Sequence, residues 1–290
     1  MSLKESELIL NSDGSVYHLN LRPEHIANDI IFVGDQERVD KITKHFNSIE
    51  FSTQKREFKT VTGTYKKKRL TVLSTGIGPD NIDIVLNELD ALVNIDLQTR
   101  KIKKTLTKLN IVRIGTSGSL QKDIPVDSFL MSSHALDLNG MLQAYKVDNI
   151  SDLELEKAFI EHTNWSDKKP YPLIIPISYT LASKFVSDKI YQGITATAGG
   201  FYGPQGRVLR LQLQDPELNK KIDSFDYKDN RITNLEMETS AIYGLSKLLG
   251  HHTVSMNAII ANRAKGTFSK NPDKVIENLI RYTLDKIANS

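Results

Sequence analysis

The chain has 290 residues, enough to bury a large core in one big domain or two small ones. Its 38 Lys and Arg against 35 Asp and Glu leave a net charge of +3, too little to point to nucleic acid as a partner. Having no cysteine, it has no disulfide, no thiol nucleophile and no Cys-based metal site, which suits a reducing compartment.

The start of the chain shows only Leu8 to Leu10 as an apolar stretch, too short for a secretory signal. No run approaches the ~20 apolar residues of a membrane helix. The sequence reads as a soluble, cytoplasmic protein with no membrane partner.

In chain order, Ile30 to Val33 predicts a buried strand ending at Gly34, followed by a helix from Glu37 to about Phe46. Two β-rich runs between Glu57 and Ser74 flank Lys66-Lys67-Lys68 and predict a hairpin. That lysine run reads as a solvated turn rather than a phosphate or RNA patch. Ile82, Val85, Leu86, Leu89 and Val93 repeat at helical spacing. Residues 94–108 are polar and basic, and read as a surface insertion or an extended helix end.

Asn110 to Ile114 predicts a strand that stops at a Gly115-Thr116-Ser117-Gly118 turn, and Phe129 to Ser132 another strand. Ser151 to His162 reads as a helix and Ile190 to Ala198 as a β-branched strand. Glu236 to Leu249 predicts a helix closed by Gly250, and Thr253 to Ala261 a strand. Asn271 and Pro272 open a final helix that buries Val275, Leu279 and Leu284. Alternating strands and helices imply one α/β domain over residues 1–290, a central mixed sheet flanked by helices.

Polar clusters gather where these strands end, the place where α/β folds bind ligands. Gly34-Asp35-Gln36-Glu37-Arg38 reads either as a structural turn or as an anion site of helix N–H groups and a guanidinium. Thr75-Gly76-Ile77-Gly78-Pro79 lacks the third glycine of a dinucleotide fingerprint and is not read as one. Arg113 lies deep in an apolar strand, where it is costly without an anionic partner, and Thr116 stands beside it. Gly199 to Arg207 offers Phe201 and Tyr202 for stacking, with Gln205 and Arg207 to bond a base edge. Glu236 and Glu238 either serve a helix dipole or grip vicinal hydroxyls.

Taken in order, these five segments resemble the nucleoside phosphorylase family that includes uridine phosphorylase and hexameric purine nucleoside phosphorylase. The likeness runs from Val16-Tyr17-His18-Leu19 to the last helix. It implies a partly closed sheet and phosphorolysis of a pyrimidine ribonucleoside: uridine and phosphate give uracil and ribose 1-phosphate. By that resemblance Gly34, Arg38, Arg113 and Thr116 form a phosphate cradle. Arg56 is lent to it by a neighbouring subunit, and residues 1–20 likewise carry His18 across to the ribose. Glu236, Met237 and Glu238 hold the ribose, Glu238 on its hydroxyls, while Phe201, Gln205 and Arg207 hold the base. Arg113, Arg207 and Glu238 are the expected catalytic group.

The resemblance needs no metal and no organic cofactor, with phosphate as co-substrate, though it allows a monovalent cation near Glu57. Purine-cleaving relatives carry an aspartate where this strand ends Ile260-Ala261-Asn262-Arg263, similar to the uridine type. The alternatives are a purine nucleoside phosphorylase or nucleosidase of the same fold, and a non-catalytic nucleoside-binding protein. Three departures stand out. Gln36 replaces a frequent proline and is expected to loosen its turn. Leu235 replaces an aromatic, and Gly206 is expected to add freedom to the base loop.

Overall fold

The structure, a computed structural model, describes residues 2–289. β1 (Asp29–Val33) sends Ile30 and Phe32 into one core layer and Ile31 and Val33 into the other. That period of two marks a strand buried on both faces. α1 (Gln36–Thr43) follows, capped by the Asp35 carboxylate, which accepts the Arg38 N–H at 2.8 Å. β2 (Ser48–Lys55), β3 (Phe58–Tyr65) and β4 (Lys68–Ser74) form an antiparallel meander. The β3–β4 turn falls on Lys66 and Lys67, both left-handed, with Lys66 bonded to Asp285 at 2.7 Å.

α2 (Pro79–Asn94) buries Ile82, Val85, Leu86 and Leu89 at the predicted spacing. The polar stretch after it does not extend the helix, which ends at Asn94, but lies at the surface. It folds into a small hairpin of β5 (Ile95–Asp96) and β6 (Lys101–Ile102), whose Arg100 carbonyl accepts the Leu3 N–H at 2.8 Å.

β7 (Asn110–Ser119) corrects the predicted turn: Gly115-Thr116-Ser117-Gly118 is strand throughout. Partners on both sides hold it extended. It is parallel to β13 (His252–Asn262) as far as Ser119, and antiparallel to the end of β12 (Asn230–Glu236) at Gly118 and Ser119. β8 (Phe129–Asp137) and β10 (Ile190–Thr197) complete the circuit. The strands β12, β10, β8, β13 and β7 close into a ring, while β1, β4, β3 and β2 continue as an open sheet. The sheet is thus mixed and partly closed, as the resemblance implies.

α3 (Leu153–Thr163), β9 (Ile174–Pro176), α4 (Tyr179–Ala182), α5 (Leu218–Asp223) and β11 (Asp226–Tyr227) dress the ring side. α6 (Thr239–Leu249) packs on α2 in one layer. β14 (Thr267–Phe268) folds back on β13, and α7 (Pro272–Ala288) buries Val275, Leu279 and Leu284 with α1 in the other layer. The Asn271 side chain does not cap α7; its backbone carbonyl accepts the Lys274 N–H at 3.1 Å instead. Among the described residues no helix is long and apolar enough to cross a membrane.

Candidate active site

One cavity of about 300 Å³ opens where β1, β7, β12 and β13 end. Its walls bring together Gly34, Arg38, Arg113 and Thr116; Glu236, Met237 and Glu238; and Phe201, Gln205 and Arg207. These are three of the predicted groups, drawn from distant parts of the chain. Leu235 and the unpredicted Ile77, Ile260, Ala261 and Phe268 supply apolar wall. The volume sits at the small end of the range for ligand sites.

Arg38 is held by Asp35, Nη2 to Oδ2 at 2.9 Å, and its Nη1 donates to the Ile114 carbonyl at 3.4 Å. Burial pushes the Arg38 pKa down, against the pull of Asp35. Arg113 is only 7% exposed and folds back over Gly115, where any Cβ would strike its guanidinium. That close approach is why glycine stands there. The Arg113 Nη2 donates to Glu238 Oε2 at 2.6 Å and lies 3.1 Å from Glu236 Oε2, while Nη1 donates to Asn257 Oδ1 at 3.0 Å. Burial opposes its charge, but Glu236 and Glu238 outweigh that and raise its pKa.

The two glutamates are not in a helical first turn. Glu236 is the last residue of β12, and Glu238 is the N-cap of α6, which starts at Thr239. Glu236 accepts the Thr197 hydroxyl at 2.7 Å, the Glu238 N–H at 2.9 Å and the Thr239 N–H at 3.0 Å. Both of its oxygens are thus engaged at the helix terminus, where Glu236 anchors the start of α6. Burial, and the neighbouring Glu238, raise its pKa although Arg113 opposes them. Glu238 Oε1 accepts the Gly78 N–H at 2.9 Å, so the Thr75 to Gly78 segment holds one of the cavity's carboxylates.

In the base loop, Arg207 Nη1 donates to Gln205 Oε1 and to the Phe201 carbonyl, both at 2.6 Å, and its guanidinium lies 3.9 Å from the Phe201 ring centre. Burial lowers the Arg207 pKa. Tyr202 does not line the cavity but packs edge-on against Phe201. Gly206 does not loosen the loop. With φ +69° it closes the turn on the Gly203 carbonyl, and a Cβ there would strike Asn219. Arg263, which adjoins Asn262, donates from Nη2 to the Gln205 carbonyl at 2.8 Å, leaving its buried Nη1 without a hydrogen-bond partner. Asn262 itself faces inward, bonding the Gln121 and Ile124 carbonyls at 2.9 and 2.8 Å.

Two predicted residues stay outside the cavity of their own chain. Arg56 is exposed on the β2–β3 turn, and His18 pairs with Glu88 through Nδ1 at 2.6 Å. Both border one ring: Tyr17 lies 5.9 Å from the Arg56 guanidinium and 4.9 Å from the His18 ring. Gln36 ties this turn down rather than loosening its own, donating to the Arg56 carbonyl at 2.7 Å. Glu57 is exposed beside Gly76, and among the described residues no group of three His, Cys, Asp or Glu could hold a metal ion.

A mixed sheet closed into a ring places arginines, carboxylates and an aromatic loop around one cavity of a size suited to a small molecule. The family model described as the phosphorylase superfamily matches residues 29–287, and the chain belongs to that family. It is 28% identical over 271 residues to a uridine phosphorylase of Thermococcus kodakarensis, covering 90% of this chain and 83% of that one. It is 26% identical over 274 residues to a DeoD-type purine nucleoside phosphorylase of Clostridium perfringens, covering 92% and 97%. A crystal structure of a Trypanosoma brucei nucleoside phosphorylase, described as showing uridine phosphorylase activity, superposes with a TM-score of 0.88. That protein is 27% identical to this one, over 98% of this chain and 100% of its own.

Proposed function

We propose that the protein is a uridine phosphorylase, a pentosyltransferase of pyrimidine salvage in the cytoplasm. The observation that carries this is the shared cavity. The arginines of an anion site, a buried carboxylate and a Gln-x-Arg loop under a phenylalanine meet in one space of about 300 Å³.

Cleaving the glycosidic bond builds positive charge on the sugar and negative charge on the departing base, so the catalyst must stabilise both. Phosphate, held by Arg38 and Arg113 with the Gly34 backbone and the Thr116 side chain on β7, attacks the anomeric carbon, and its own charge favours the cationic sugar. Glu238 orients the ribose hydroxyls with Met237 packed on the sugar, while Glu236 anchors the start of α6. Gln205 and Arg207 bond the uracil edge under Phe201 as charge spreads into the ring. The chemistry calls for no metal, organic cofactor or covalent intermediate.

Charge supports sharing of the site between copies. In one chain Arg38 and Arg113 face Asp35, Glu236 and Glu238, two cations against three carboxylates, a poor start for binding an anion. Arg56 of a second copy supplies the missing charge, and His18 travels with it because both flank Tyr17. The active unit is then a homo-oligomer.

The test mixes purified protein with uridine, thymidine or inosine, with and without phosphate, and follows free base. Uracil released only with phosphate is the expected result. Hypoxanthine in preference to uracil would replace this reading with the purine one, and release without phosphate would make the protein a nucleosidase. Uridine bound tightly but not cleaved would leave a binding protein.

A further inference from the structure

Three protein acceptors hold the Arg113 guanidinium, and they differ in charge. Glu238 and Glu236 share Nη2 at 2.6 and 3.1 Å, while Nη1 donates to the Asn257 side-chain oxygen at 3.0 Å. Asn257 is fully buried on β13, in register with Gly115 of the neighbouring strand. It does not line the cavity, so it can act on a ligand only through Arg113. Its amide nitrogen donates to Ser255 Oγ at 3.3 Å, and Ser255 Oγ lies 2.9 Å from the Thr239 hydroxyl at the first turn of α6. A chain of hydrogen bonds therefore links Arg113 to the start of α6, the helix that Glu238 precedes as N-cap and Glu236 anchors from the end of β12.

We propose that Asn257 is a positioning residue of the phosphate site: it fixes the Arg113 guanidinium through a neutral acceptor and so leaves its charge for the anion. This rests on the reading of Arg113 as a phosphate ligand. The reason is electrostatic. Two carboxylates already draw on Arg113 in a buried site, where charges act at short range with little screening. A carboxylate in place of the amide would orient the guanidinium equally well, since Oδ1 accepts in both. It would also put a further negative charge beside the phosphate. Asparagine provides the bond without the repulsion. The same reasoning makes a buried amide between Met256 and Ala258 a functional feature rather than a packing accident.

The experiment is calorimetric titration of inorganic phosphate into the full-length protein, wild type, Asn257→Asp and Asn257→Ser, with the unfolding midpoint of each measured without phosphate. Aspartate keeps the shape and the acceptor, and the Ser255 hydroxyl can rotate to donate to its second oxygen. We expect Asn257→Asp to weaken phosphate binding by about 10- to 100-fold through the added charge. Serine is neutral but too short to reach Arg113, and should weaken binding by about 3- to 10-fold. The KM for uridine should move less than about twofold in both, since the base and ribose contacts are untouched.

Aspartate binding phosphate as well as wild type would overturn the proposal, and so would serine binding worse than aspartate. If the aspartate variant does not fold, serine decides alone, and wild-type affinity in it would overturn the proposal. A wild-type protein that binds no phosphate would remove the reading of Arg113 itself, and this inference with it.

Discussion

Arg113 with Glu236 and Glu238, and Glu277 with Lys44, His45 and Arg281, are both ion clusters, yet they sit in opposite surroundings. In the first, the three side chains are 8% exposed or less. In the second, on the seam between α1 and α7, Lys44 is 53% exposed and Arg281 65%, with Glu277 at 22%. Burial would raise the Glu277 carboxyl, but bonds from Lys44 at 2.8 Å and Arg281 at 2.9 Å and the charge of His45 outweigh it and hold it at about 2.

The cavity cluster behaves differently: burial and the second carboxylate push Glu236 up, while the pair of carboxylates pushes Arg113 up. On the seam, charges settle against each other in water and serve the fold. In the cavity they are crowded and strongly coupled, and a ligand can reset the balance.

The largest effect should come from breaking the cavity cluster. Arg113→Ala is expected to lower kcat/KM for uridine by about 10²–10³, the scale of a lost charge-stabilising donor. It should also cost about 3–5 kcal/mol of stability, because two buried carboxylates lose their cation. Steady-state kinetics beside chemical denaturation measures both, and unimpaired turnover would take Arg113 out of the site.

Next comes the shared site. Arg56→Ala alone should lose about 10- to 100-fold in kcat/KM. Refolded together with Arg113→Ala, it should recover part of the activity, because mixed oligomers contain one site with both arginines intact. Mixtures no more active than the separate variants would place Arg56 outside the chemistry.

In the base loop, Gln205→Ala or Arg207→Ala should cut uridine turnover by about 10²-fold while phosphate affinity stays near wild type. Equal losses in both measurements would make the loop structural.

The smallest effect belongs to the seam. Glu277→Gln should leave kinetics untouched and lower Tm by about 1–3 °C at neutral pH. Because folding depresses this carboxyl from 4.5 to about 2, its stabilisation is fully present above pH 4.5 and fades as pH falls towards 2. The Tm gap between wild type and variant should close over that window, and a gap that widens in acid would contradict the assignment.

How far the sequence foretold this can be seen residue by residue. The period of two in Ile30 to Val33 and the helical spacing in α2 and α7 carried through because their apolar faces are continuous. β2 escaped notice because Ser48 to Lys55 is an edge strand with no fully buried residue. Gly115 to Gly118 has the composition of a turn, but only pairing across the closed ring, non-local information, keeps it extended.

In the cavity, the lone Arg113 in an apolar strand was legible for a physical reason: a buried guanidinium needs partners. Asn257 carries the same signal in β13, a buried amide among Met256, Ala258 and Ile259. What no spacing could reveal is the use of each oxygen. The saturation of Glu236 by α6 amides, the Gly78 N–H on Glu238 and the inward turn of Asn262 depend on loops meeting in space.

The most direct test of the account is phosphorus NMR of the full-length protein with uridine and inorganic phosphate, alongside assay of free uracil. The account predicts that inorganic phosphate is consumed and ribose 1-phosphate appears, one molecule for each uracil released. Uracil released with the phosphate resonance unchanged would mean that water is the nucleophile, and that the arginine cluster of the cavity serves another anion.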